Sequence, residues 1–120
     1  MKNICEISEK TYGDLPEKVL QFGEGNFLRA FADYIIETGN KSGLLSTSVL
    51  LCQPIETGKC DVINSQSGLY TVYMRGLKNG AVFEDFQKIT CVSRCINPYK
   101  DYESLLEAAR AEELEVIISN

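Results

Sequence analysis

The 120-residue chain predicts an α/β fold, a parallel sheet interrupted by an antiparallel excursion. Three observations lead there. Val19, Leu20 and Phe22 form a nearly continuous apolar run, ended by Gly23-Glu24-Gly25 and followed by apolar residues at helical spacing. A second apolar run, Ser48-Val49-Leu50-Leu51-Cys52, comes after a cluster of helix breakers. From residue 69 onward the pattern changes to alternation around Asn79-Gly80, a strong hairpin turn.

Residues 1–18 read as an irregular lead-in, with Asp14-Leu15-Pro16 bringing the chain to the first strand. Beyond the glycines, Asn26 suits a helix N-cap. Phe27, Ala30, Phe31, Tyr34 and Ile35 recur at three-four spacing and form the face expected to pack on the sheet. Gly39-Asn40-Lys41-Ser42-Gly43 stops the helix. The strand at 48–52 ends before Pro54 and completes a βαβ unit with a right-handed crossover. Residues 60–67 read as a polar loop. Tyr70, Val72 and Met74 then oppose Thr71, Tyr73 and Arg75, and the chain returns through Ala81-Val82-Phe83. A further alternating run, from Gln87 to Ile96, extends the antiparallel excursion. Arg75 and Arg94 read as surface or ion-paired residues. Asn97-Pro98 breaks the run, and Asp101 can cap a helix from Tyr102 to about Arg110, buried through Tyr102, Leu105, Leu106 and Ala109. Glu115 to Asn120 reads as a strand rich in β-branched residues.

The turn at 23–25 carries the chemistry. Its glycines permit backbone angles and close approaches that a Cβ blocks, and the unpaired N–H groups of the following helix point over them. That geometry suits a pyrophosphate, so strand, turn and helix make the opening of an incomplete Rossmann-like domain. A lone Gly-x-Gly also fits a plain strand-turn-helix, and position 28, where a third glycine is usual, is Leu. The residues expected against a dinucleotide are Phe22, Gly23, Glu24, Gly25, Asn26, Phe27, Leu28 and Arg29. Arg29 can aid a phosphate or pair with Asp33 one helical turn on; the pairing is favoured. In such units an acidic side chain beyond the second strand often holds the adenosine ribose, and Glu56 is the candidate. It lies 31 residues after Gly25, well past the usual ~20, and competes with the reading of a solvated loop carboxylate. Gln53 is next by position.

Gly23-x-Gly25-x-Phe27-x-Arg29-Ala30, with Tyr34 following, resembles the N-terminal fingerprint of the mannitol dehydrogenase family, the long-chain polyol dehydrogenases. Mannitol dehydrogenases proper tend to carry His at the positions of Leu28 and Phe31, so the departure points to the hexuronate branch. Pro54-Ile55-Glu56-Thr57, Gly68-Leu69-Tyr70-Thr71 and Arg75-Gly76 are similar to the same family. The resemblance covers essentially all 120 residues but only the opening quarter or so of such an enzyme. It implies NAD as cofactor, hydride transfer to or from a small hexuronate-derived substrate, and a long, mainly helical second domain. That domain brings the substrate site and the catalytic lysine, so no catalytic residue is expected within 1–120. Another member of the family, or a non-catalytic nucleotide-binding module, are the alternatives.

Composition narrows the partners. Twelve basic against seventeen acidic residues give a net charge of −5, with no basic stripe for a nucleic acid. The polar start has no apolar core of a signal peptide, and no apolar run reaches membrane-spanning length, so the chain reads as cytoplasmic. Cys5, Cys52, Cys60, Cys91 and Cys95 are odd in number, show no Cys-x-x-Cys spacing and have no histidine beside them. They read as structural, reduced thiols, with no metal site. The lack of histidine also removes the commonest general base.

Overall fold

The computed structural model of the chain describes residues 11–120, so Cys5 and most of the lead-in lie outside the described residues. The elements in order are β1 (Glu17–Phe22), α1 (Asn26–Lys41), β2 (Ser48–Cys52), α2 (Cys60–Ser65), β3 (Tyr70–Lys78), β4 (Ala81–Ile89), β5 (Val92–Ile96), α3 (Tyr102–Arg110) and β6 (Val116–Ser119). Four strands form a parallel sheet in the order β5-β2-β1-β6, and β3 pairs antiparallel with β4 in a separate hairpin. The predicted α/β class, with parallel sheet and antiparallel insertion, is the one observed.

The period-two alternation of the central strands divides the core in two. Val19, Val49 and Leu51 point to one face, with Ile36 of α1 and Cys60 and Ile63 of α2. Leu20, Leu50 and Cys52 point to the other, with Ile96 and with Ala108 of α3. Every residue of β2 is buried, as a continuous apolar strand covered on both faces must be. No described helix is long and apolar enough to cross a membrane.

Several expectations need correction. The run from Gln87 to Ile96 is not one antiparallel strand. Pairing with β3 ends at Ile89, and Val92–Ile96 enters the parallel sheet beside β2. The break falls at Thr90, whose N–H and hydroxyl donate to the two carboxylate oxygens of Glu37 on α1, at 3.0 and 2.9 Å. Residues 60–67 hold a helix, α2, where a loop is expected. Its first turn has no local side-chain cap; Gln53 Oε1, seven residues earlier, accepts from Cys60 N at 3.1 Å. Asn64 on α2 then pairs with both backbone groups of Cys95 at 2.9 Å, which covers the outer edge of β5.

The face of α1 also differs. Phe27, Phe31 and Ile35 are 65, 57 and 52 % exposed, and the two phenyl rings stack with centroids 5.6 Å apart. The buried side carries Leu28, Asp33, Ile36, Glu37 and Asn40. Spacing of three and four defines a helix face but not its direction, and Asp33, Glu37 and Asn40 repeat at the same spacing. Their burial is tolerated because each has partners: Asn40, for example, pairs with both backbone groups of Thr47, at 2.8 and 3.0 Å. In α3 the cap is as expected, with Asp101 accepting from Ser104 N at 3.2 Å. Ala108 rather than Ala109 is buried, and Tyr102 is exposed. Arg75 and Arg94 are ion-paired, with Glu84 and Glu17.

Candidate functional site

In a sheet ordered β5-β2-β1-β6, successive crossovers leave β1 in opposite directions, towards β2 and, later, β6. The carboxyl ends of β1 and β6 flank the crevice where such α/β sheets bind ligands. Gly23-Glu24-Gly25 lies there, and a crevice of about 220 Å³ is lined by these residues with Phe27, Leu28, Pro54, Ile55 and Asn120.

The two glycines do different work. Gly23 has φ +134°, and a Cβ on it would meet Leu28 Cδ1 at 2.9 Å; its N–H donates to Cys52 O at 3.0 Å. Leu28 thus fills the space above the turn that a third glycine would leave open. Gly25 has an ordinary φ of −74° and serves as the N-cap residue of α1. A Cβ there would meet nothing within 4 Å. The space above Gly25 is open.

Asn26 is the first residue of α1, not its cap, and no side chain caps the helix. Its Oδ1 instead accepts from Arg29 Nη2 at 3.1 Å and from Lys59 Nζ at 3.2 Å. Two cations therefore converge on the helix N-terminus, where the backbone already favours negative charge. Glu24 is 6 % exposed, and its Oε2 has no hydrogen-bond partner. Burial raises its carboxyl above the usual range, opposed by Arg29, its own backbone N–H and Lys59.

Beside the crevice lies a larger, mostly apolar cavity of about 450 Å³, walled by Phe22, Cys52, Pro54, Pro98, Tyr99 and Leu105 among others. Tyr99 closes one side by donating to Pro54 O at 3.2 Å. Gln53 shapes the loop between them. Its Nε2 donates to Ile55 O at 2.8 Å and Glu56 O at 3.1 Å, and its Oε1 accepts from Cys60 N. With donors and acceptor so committed, Gln53 is a loop organiser rather than a ribose contact. Glu56 is exposed on that loop and lines neither cavity.

The favoured Arg29–Asp33 pair does not form. Arg29 lies over the Tyr70 ring, 5.0 Å from its centroid, and the Tyr70 hydroxyl stands 2.9 Å from Asp33 Oδ2. Asp33 is fully buried, and burial pushes its carboxyl up to about 7, against the hydrogen bonds of Tyr70 and Gln21 and the charge of Arg29. The sequence reading missed Lys59 and Tyr70 as parts of this arrangement, and named Gln53 only as the ribose candidate after Glu56. Each acts across 20 or more residues or through a side-chain cap, and no local spacing announces that. The four described cysteines are free and buried, and burial pushes Cys52 up to about 11 and the other three upward too.

A parallel sheet in this order, with a glycine turn and an uncapped helix at its switch point, is an α/β fold of the Rossmann type. No protein-family model matches the chain. Among curated proteins it is 44 % identical over 105 residues to the altronate oxidoreductase of Phocaeicola vulgatus, covering 88 % of this chain and 22 % of that protein. It is 43 % identical over 109 residues to the altronate oxidoreductase of Bacillus subtilis, covering 91 % and 23 %. The chain therefore spans less than a quarter of the length of these relatives. Among solved structures it resembles Pseudomonas fluorescens mannitol 2-dehydrogenase, determined as a ternary complex with NAD and D-mannitol. The TM-score is 0.76 at 17 % identity, covering 94 % of this chain and 23 % of that one. A D-sorbitol dehydrogenase in substrate-free form matches with a TM-score of 0.72 at 14 % identity, over 93 % and 23 %. By sequence the chain is homologous to the altronate oxidoreductases over most of its length, and by fold it matches the mannitol and sorbitol dehydrogenases. The resemblance drawn from residues 23–34 holds.

Proposed function

We propose that the chain is the cofactor-binding part of an NAD-dependent oxidoreductase that interconverts D-tagaturonate and D-altronate, the reaction of a tagaturonate reductase. The observation that carries this reading is the open space above Gly25 in front of an uncapped helix, at the switch point of the sheet. The names of the relatives and the NAD complex of the structural neighbour support it. A dinucleotide fits the residues present. The first N–H groups of α1 receive the pyrophosphate, Gly25 lets it approach, and Arg29 and Lys59 offset its charge. Phe22, Phe27 and Leu28 give apolar contact, and the cavity beside Phe22 and Tyr99 is of the kind that takes a flat ring. Glu56, exposed in the loop after β2, is assigned to accept from a ribose hydroxyl. Glu24 disfavours a nearby anion when charged, and its raised carboxyl lessens that cost.

When bound, NAD supplies the hydride chemistry; these residues bind and orient it. None of the described residues is assigned to the proton transfer, which belongs to the remainder of a full-length enzyme. Such an enzyme combines this Rossmann-type portion with a separate substrate domain. Calorimetric titration of NADH into the full-length protein and its Gly25→Val variant tests the reading. Binding to the wild type and loss of about tenfold or more in the variant, at unchanged Tm, is expected, since the added branches would occupy the space of the phosphate. Unchanged affinity with an intact fold would overturn it.

A further inference from the structure

Behind the glycine turn, α1 is held by a buried polar cluster that the cofactor reading does not use. The Tyr70 hydroxyl of β3 lies 2.8 Å from Arg29 O and 2.9 Å from Asp33 Oδ2. A hydroxyl has one hydrogen, and a backbone carbonyl has none to give. Both contacts are full hydrogen bonds, rather than one hydrogen shared between two acceptors, only if Asp33 is the donor in one of them. We propose that Asp33 is a positioning residue: its carboxyl keeps a proton and donates it to Tyr70, which donates in turn to the Arg29 carbonyl and fixes the first turn of α1. Its consequence for NADH rests on the function proposed above.

The surroundings favour the neutral carboxyl. Asp33 is fully buried, and its Oδ1 has no donor within reach, a heavy penalty for a carboxylate and a light one for an acid. From β1 only the neutral Gln21 faces it, with Nε2 at 3.5 Å from Oδ2. Before β5, the Cys91 thiol donates to Asp33 O at 3.6 Å. On α1 itself the neighbours are Glu37, bonded to Thr90, and Arg29. Arg29 is the one cation among these groups, and it stacks on the Tyr70 ring with one nitrogen on Asn26 rather than meeting the carboxyl. Tyr70 therefore sets both the backbone of the first turn and the direction of the Arg29 guanidinium. On losing its proton, Asp33 would claim the Tyr70 hydrogen and leave the Arg29 carbonyl with none from that side.

Two cofactor-free measurements on the full-length protein decide this. The isotope-edited carboxyl signal that disappears in Asp33→Asn should titrate near 7, not in the ordinary aspartate range. Amide exchange across residues 26–30, corrected for its intrinsic pH dependence, should step up in the wild type as pH rises through that value. Tyr70→Phe should exchange about tenfold faster at every pH, the equivalent of one lost hydrogen bond. Asp33→Asn, whose amide still donates to Tyr70, should match the acid wild type and lose the step. NADH affinity should follow the same order: about tenfold weaker in Tyr70→Phe, unchanged and pH-flat in Asp33→Asn. A carboxyl titrating in the ordinary range, or Asp33→Asn loosening the turn as much as Tyr70→Phe, would overturn the proposal. Should Asp33→Asn not fold, the exchange step, present in the wild type and absent in Tyr70→Phe, carries the decision. If the wild type binds no NADH, the proposed function fails while the carboxyl signal and the exchange still judge Asp33.

Discussion

Leu28 Cδ1 sits 2.9 Å from where a Cβ on Gly23 would lie, so the helix packs down on the turn through a side chain rather than a third glycine. Gly23 is thus required by the protein's own packing and by its φ of +134°. Gly23→Ala should lower stability by roughly 1–3 kcal/mol, from strained backbone and a crowded Leu28. Gly25→Ala should leave stability within about 0.5 kcal/mol. Urea unfolding of both variants checks the contrast, and equal losses would mean that Gly25 is structural too.

Stability should fall as pH rises through the acid range. Asp33 has its folded-state value raised from 3.8 to about 7, so between those values the folded chain holds a proton that the unfolded chain has released. Stability is highest below the lower value, declines across the window and is flat above it, by something on the order of 4 kcal/mol. Glu24, also raised by burial, acts in the same direction. Asp33→Asn should flatten most of the decline in denaturant midpoints measured from pH 4 to 8. A wild-type midpoint that climbs over this range contradicts the assignment.

Glu56 should set the choice of cofactor in the full-length protein. A carboxylate at the ribose repels a 2′-phosphate, and its replacement by Gln should narrow the preference for NADH over NADPH by about tenfold. The ratio of the two dissociation constants is the measurement. An unchanged ratio removes Glu56 from the site, and Gln53 cannot inherit the contact because its amide already holds the loop.

Expressed alone, the 120 residues should associate as concentration rises. Phe27, Phe31 and Ile35 form an exposed apolar stripe, and β6 lies at the sheet edge with Val116 and Ile117 exposed. Light scattering over a dilution series should show growing mass, reduced by Phe31→Glu. The same sample should not oxidise NADH with tagaturonate, because the proton-transfer group is assigned to the rest of the enzyme. A monomer at all concentrations would remove the first argument, and turnover the second.

Much of the candidate site is legible in consecutive residues. The apolar run of β1, the glycines after it and the helical spacing beyond them locate the strand, turn and helix that face the crevice. The hairpin at Asn79-Gly80 and the Asp101 cap are equally local, each defined by residues within one turn of each other. What escapes local reading is the second half of each long-range pair. α2 is started by Gln53, the edge of β5 is covered by Asn64, and Arg29 is turned from Asp33 by Tyr70.

The order of residues by itself determined the α/β class, the position of the glycine turn and the existence of α1, because strand and helix periods and glycine conformations are short-range properties. Tertiary structure alone decided which side of α1 is buried. Two stripes repeat at the same spacing, one apolar and one of Asp33, Glu37 and Asn40. Hydrophobicity favours burying the first, but the second has hydrogen-bond partners waiting on β3, at Thr90 and at Thr47, and a buried polar group is stable only where such partners exist. Those partners lie 7 to 53 residues away in the chain, a distance that only folding closes.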